Sequence, residues 1–124
     1  MTRKAIDMKL GTIAFIGAGK MATAIAGGLV ANGKEKSGIK AYDISKTARE
    51  HFLSATGAEA FSTPEEALAS ADIVVLAVKP QHVAAALEKS KPLIKDKLFV
   101  SIAAGVMIKT LATLTGCHRL VRVM

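Results

Sequence analysis

The sequence predicts an α/β fold, a doubly wound parallel sheet of strand order 3-2-1-4-5-6 with helices on both faces. Three observations predict it. Short apolar, β-branched runs alternate with helix-compatible segments from Thr12 onward, as buried parallel strands joined by right-handed crossovers do. Gly17-Ala18-Gly19-Lys20-Met21-Ala22 stands between the first such run and the first helix. The 124 residues suit one domain, 1–124, hiding roughly two-thirds of its unfolded surface, and no repeat or linker divides them.

The elements follow in order. Thr12–Ile16 reads as a buried strand stopped by the glycines, and Lys20–Val30 as a helix ended by Asn32-Gly33. Gly27 and Gly28 each cost that helix about 1 kcal/mol relative to Ala, and close packing on the sheet is the expected compensation. Ile39–Asp43 is the second strand. Ser45 caps a helix to about Leu53, with Thr56-Gly57 as its stop, and Ala58–Phe61 is the third strand. Thr63-Pro64-Glu65-Glu66 predicts a capping box, with Thr63 at N-cap, Pro64 at N1 and Glu66 at N3. Ile73–Val78 is the strongest strand. Lys79-Pro80 breaks it and opens a helix with Val83, Ala86 and Leu87 on one side. Leu98–Ile102 is the fifth strand, Met107–Leu114 a helix ended by Gly116, and Leu120–Met124 the sixth strand. This order makes the first strand and Ile73–Val78 neighbours, so the crevice at their carboxyl ends is the switch point where open α/β sheets bind ligands.

Composition excludes several classes. The longest apolar stretches, Ala22–Ala31 and Ile73–Val78, are too short or too Gly-rich to cross about 30 Å of hydrocarbon. A single Cys, Cys117, excludes an internal disulfide framework and reads as an ordinary core or loop thiol. His51, His82 and His118 have no metal-binding spacing, so no metal is expected. The first residues lack an apolar signal-peptide core, and a reduced, cytoplasmic setting is the expectation. The net charge of +7 comes from spread lysines, and with four Phe and one Tyr there is no stacking platform for nucleic acid. These lysines read as a solvated face.

The glycine segment matches G-x-G-x-x-A between a strand and a helix. Gly17 would make the tight turn, Gly19 would remove a Cβ from the path of a pyrophosphate, and Ala22 would keep helix and strand close. Phosphates would then meet free backbone amides at the positive end of a helix dipole. Asp43 lies 26 residues after Gly17, at the end of the second strand. Its carboxylate suits an adenosine ribose 2′-OH, which favours NAD, while Ser45 and Lys46 suit a 2′-phosphate, which favours NADP. Asp43 could equally just begin the turn that Ser45 caps. Both cofactors stay open.

Four segments carry a family resemblance: Ile13-Ala-Phe-Ile-Gly-Ala-Gly-Lys-Met-Ala22, Val75-Leu-Ala-Val-Lys-Pro-Gln81, Val100-Ser-Ile-Ala-Ala-Gly-Val106 and Val121-Arg-Val-Met124. In order and spacing they resemble pyrroline-5-carboxylate reductase, from about residue 11 to the end. The resemblance implies the Rossmann-like, NAD(P)H-binding domain of an oxidoreductase that reduces 1-pyrroline-5-carboxylate to L-proline, the last step of proline biosynthesis. It carries cofactor contacts onto Ile16, Gly17, Ala18, Gly19, Lys20 and Met21, onto Ala77, Val78, Lys79 and Pro80, and onto Ala103, Ala104 and Gly105. Lys79 could face the phosphates or the substrate carboxylate, or simply precede a helix-starting proline. Many members have Asn-Arg at Asp43-Ile44 and Asn at Pro64. The family continues past the last strand into a helical domain that makes a homo-oligomer and most of the substrate site. No catalytic residue is therefore expected within these positions, and self-association through an open sixth strand is expected. Two alternatives remain: a non-catalytic dinucleotide-binding or regulatory module, and a deazaflavin-dependent NADP reductase-like domain. The latter shares the glycine motif, but the Val-Lys-Pro-Gln and Ala-Ala-Gly-Val segments argue against it.

Overall fold

Six short β-branched or apolar runs become parallel strands in the computed structural model, which describes residues 11–103, 108–117 and 119–123. They are Ile13–Ile16 (β1), Ile39–Tyr42 (β2), Glu59–Phe61 (β3), Ile73–Leu76 (β4), Leu98–Ser101 (β5) and Leu120–Arg122 (β6). The sheet order is β3-β2-β1-β4-β5-β6, as expected. Register fixes the strand ends: Ile16 stands between Tyr42 and Leu76, so β1, β2 and β4 finish level with one another. A site shared by three strand ends needs that alignment.

Side chains alternate across the sheet with period two. Ile13, Phe15 and Val75 join Ala22, Ala26 and Phe52 on one face, beneath the helices Lys20–Ala31 (α1) and Lys46–Thr56 (α2). Phe15 and Phe52 meet there as tilted rings with centroids 6.2 Å apart. Ala14, Ile16, Val74 and Leu76 face the opposite way, onto Leu68, Leu87, Phe99 and Leu111. That second core lies under Pro64–Leu68 (α3), Val83–Ile94 (α4) and Ile108–Thr115 (α5).

Two helices stop by the same device. Thr56 at the end of α2 donates its hydroxyl to the Phe52 carbonyl and accepts from the Ala58 amide. Thr115 at the end of α5 donates to Leu111 and accepts from Cys117. The glycine between each pair, Gly57 or Gly116, has positive φ, at 78° and 71°. The hydroxyl thus adds a second bond to a carbonyl of the last helical turn and satisfies one loop amide while buried. Cys117 is buried in this second stop, its Sγ donating to the Ile94 carbonyl at 2.9 Å.

Several expectations need correcting. Among the described residues a Cβ on Gly27 or Gly28 would meet nothing within 4 Å, so no close packing by them compensates those glycines. The capping box does not close: Thr63 Oγ1 donates to Glu66 Oε1 at 2.8 Å, and its side chain caps no backbone amide. β4 stops at Leu76, two residues before Val78, because the chain leaves the sheet to line the switch point. Lys79-Pro80 opens a 3-10 turn, Pro80–His82, before α4 begins. β2 stops at Tyr42, one residue before Asp43, and β6 at Arg122. Met107, Ala104, Gly105 and Met124 lie outside the described residues.

Candidate functional site

The level ends of β1, β2 and β4 open into a cleft of about 420 Å³. Its floor is Ile16, Gly17 and Gly19, where β1 turns into α1. The two glycines serve different ends. Gly17 has φ +105°, and a Cβ there would stand 2.8 Å from the Ala77 carbonyl oxygen and 2.9 Å from Val78 Cγ1. That turn is closed by the protein itself. Gly19 is the N-cap of α1 at φ −79°, and a Cβ there would meet nothing within 4 Å among the described residues. Its bare face looks into open space. The amides of Gly19, Lys20 and Met21 find no acceptor among the described residues, as expected of the first turn of a helix.

Asp43 forms one wall and is tied to the backbone at both oxygens. Its Oδ2 accepts from the Ala18 amide and its Oδ1 from the Ser45 amide, each at 2.9 Å. Beside it the Gly17 amide donates to the Tyr42 carbonyl at 2.7 Å. Arg49 on α2 donates to the Asp43 carbonyl at 2.9 Å. The carboxylate therefore braces the glycine turn against the start of α2. Ser45 caps that helix, its Oγ accepting from the Ala48 amide at 3.2 Å. A capping hydroxyl still has its own proton to donate into the cleft.

The opposite wall comes from the β4 end, Ala77, Val78 and Lys79, and from His82, Ala85, Ala86 and Lys89. Ala85, Ala86 and Lys89 lie at helical spacing along one stripe of α4, with His82 at its N-cap in line with them. The other stripe, Val83, Leu87 and Ser90, is buried against the sheet. Ile44 completes the rim of the Asp43 wall at 76% exposure.

Of the residues singled out from sequence, Ile16, Gly17, Gly19, Asp43, Ser45, Ala77, Val78 and Lys79 line this cleft. Ala18 is fully buried behind the turn and contributes its amide to Asp43. Lys20 and Met21 are exposed on the first turn of α1, and Pro80 is exposed at the start of its 3-10 turn, all beyond the lining residues. Lys46 points to solvent and pairs at 3.8 Å with Glu50. Ala103 packs into the core rather than the cleft, its amide donating to Ser101 Oγ. Ala104 and Gly105 are not among the described residues. Sequence reasoning missed Tyr42, Ile44, His82, Ala85, Ala86 and Lys89 as lining groups. The helical stripe on α4 was the available signal, but an amphipathic helix declares its buried face more clearly than the destination of its other face.

A doubly wound parallel sheet with a glycine-floored cleft at its switch point defines the class: a Rossmann-like domain of the oxidoreductase type. The chain belongs to the family described as NADP oxidoreductase coenzyme F420-dependent, whose profile matches residues 12–105. The resemblance read from the four segments is borne out by named relatives. The chain is 40% identical over 114 residues to a pyrroline-5-carboxylate reductase of Pisum sativum, covering 91% of this chain and 42% of that protein. A solved pyrroline-5-carboxylate reductase from Coxiella burnetii superposes with a TM-score of 0.85 at 31% identity, covering 93% of this chain and 44% of its own. A Plasmodium falciparum pyrroline carboxylate reductase with NADP bound gives a TM-score of 0.74 at 31% identity, covering 91% of this chain and 41% of its own. The chain thus spans about two fifths of the length of the relatives it matches.

Proposed function

We propose that residues 1–124 form the NAD(P)H-binding domain of a pyrroline-5-carboxylate reductase, an oxidoreductase that reduces 1-pyrroline-5-carboxylate to L-proline. The observation that carries this reading is the contrast between the glycines: Gly17 is required by the fold, whereas the bare face of Gly19 is not. A diphosphate fits that face, because the amides of Gly19, Lys20 and Met21 are unspent and α1 adds its dipole. The NADP bound in the Plasmodium relative supports the same reading.

In this reading Asp43 and Ser45 stand beside the adenosine ribose, with Lys46 just outside. Ala77, Val78, Lys79 and Pro80 border the dinucleotide, and Ala103, Ala104 and Gly105 flank the nicotinamide. The bound reduced nicotinamide supplies a hydride. The residues of this chain hold the dinucleotide and orient it, and positioning of this kind supplies much of the rate of hydride transfer. No catalytic role falls to a described side chain. We place substrate binding and homo-oligomer formation with the full-length enzyme of this reading.

Calorimetric titration tests the reading. NADPH or NADH should bind in the micromolar range, while turnover of pyrroline-5-carboxylate by these 124 residues alone should be poor. No heat with either dinucleotide, from chain that is folded by circular dichroism, would overturn it. The family description, which names coenzyme F420, favours a second reading as a deazaflavin-dependent NADP reductase-like domain. Reduction of a deazaflavin by NADPH on the longer protein, without proline formation, would select that one.

A further inference from the structure

We infer that the α1 side of β5 and β6 is the seat of an amphipathic helix, supplied by a part of the longer protein outside these 124 residues. The inference rests on the reading of the chain as one domain of a longer reductase, and on no residue of the dinucleotide cleft. In a parallel sheet each right-handed crossover lays its helix on the face set by its direction of travel. The steps from β1 to β2 to β3 run one way and put α1 and α2 on the first face. The steps to β4, β5 and β6 run the other way and put α3, α4 and α5 on the second. Among the described residues no helix roofs the outer strands on the first face.

Those strands are nonetheless built for cover on both sides, as buried parallel strands are. Register sets Val75, Val100 and Val121 side by side, so Leu98, Val100, Ile102, Val121 and Val123 share the face of α1. Phe99, Ala103 and Leu120 point the other way, into the second core. Phe99 is fully buried there, whereas Val121 and Val123 are 45% and 47% exposed and the β5 row is only half-buried. Arg119, at the foot of the same row, turns its guanidinium to the Asp96 carbonyl at 3.1 Å and leaves the strip aliphatic. Strands stand about 4.8 Å apart, so the strip is about 10 Å wide, one helix diameter. It is the next place in the helix layer beside α1, which carries no charged residue from Met21 to Gly33 to oppose a neighbour.

Size separates a tethered occupant from a free one. At about 3.3 Å per residue the strip is about 16 Å long, a footprint of about 160 Å², against the roughly 800 Å² that a stable partner buries on each side. A second copy of this chain, also carrying +7, has too little contact here to hold. A segment of the same polypeptide docks at high effective concentration and needs less. The relatives have the chain to supply it, since this one covers 42% of the Pisum sativum protein and 44% of the Coxiella burnetii one. Leu76, Ser101 and Arg122 are level, so the upper end of the strip is level with the cleft. A helix seated there therefore fixes the rest of the enzyme relative to the dinucleotide site.

The test compares alkylation of Val121→Cys by N-ethylmaleimide in the 124-residue chain and in the longer protein, with Ser54→Cys on exposed α2 as the control. Mass spectrometry separates either thiol from buried Cys117. Val121→Cys should react at least about tenfold more slowly in the longer protein, as protected sites do, with Ser54→Cys unchanged. A diazirine amino acid of about leucine's size in place of Val123 should crosslink outside the 124 residues, to positions spaced three and four apart. Equal alkylation rates, crosslinks at a spacing of two, or crosslinks to a second copy or to residues 1–10 would overturn the helix seat while the dinucleotide reading stands. A longer protein that shields the thiol but binds neither NADPH nor NADH would overturn the dinucleotide reading alone.

Discussion

Asp43 is a residue whose position was legible in the sequence and whose work was not. A carboxylate closing the second strand stands out in a linear reading, but its bond to the Ala18 amide depends on the register that sets Ile16 level with Tyr42. Ala18 is fully buried, so removing the carboxylate leaves a buried donor unsatisfied. Asp43→Ala should therefore lower folding stability by about 1–3 kcal/mol, read by urea denaturation without any cofactor. An aspartate waiting only for ribose would show no such loss. Cys117 gives a second prediction. Burial, the largest influence on it, pushes its thiol above the ordinary value against the smaller opposing effect of the Thr115 hydrogen bond. The folded chain then holds that proton more tightly than the unfolded chain. The resulting stability is complete below the unfolded thiol's value and declines as pH rises toward the folded one. Denaturation midpoints for the wild-type chain should fall over that alkaline range more than for Cys117→Ala, and native Cys117 should alkylate far more slowly than in urea.

The helices divide by what their sequence could declare. Caps and stops were legible wherever one residue does the work: Ser45 starts α2, and Gly57 and Gly116 end α2 and α5. The hydroxyl arrangement of Thr56 and Thr115 was not, because it joins a helix carbonyl to a loop amide in three dimensions. The glycine pair in α1 misled for a related reason. Helical glycines suggest close approach, yet the space beside Gly28 is open. Gly28→Ala should thus stabilise the chain, by as much as about 1 kcal/mol, a gain in thermal midpoint that a close-packed glycine would turn into a loss. On α4 the buried stripe of Val83 and Leu87 was legible as core, whereas the stripe toward the cleft required the placement of β2 beside β1.

At the scale of the molecule, the sheet order was readable because right-handed crossovers and alternating elements leave few solutions. The place of the cleft followed from it, since the order reverses between β1 and β4. The make-up of the cleft did not follow, because residues far apart in sequence meet only when three strands end level. Those strand ends leave one glycine for the fold and one for a ligand, which separates stability from binding. Gly17→Ala forces a side chain onto the Ala77 carbonyl at positive φ and should destabilise the chain by about 1–3 kcal/mol. Gly19→Val should leave the fold nearly intact, since its side chain enters open space.

Titration of NADPH into the Gly19→Val variant, alongside its denaturation curve, therefore probes the diphosphate seat most directly. A wild-type denaturation midpoint with dinucleotide affinity reduced at least about tenfold is the outcome expected. Undiminished affinity in a folded Gly19→Val chain would contradict the account, because the phosphates would then lie somewhere other than the opening of α1.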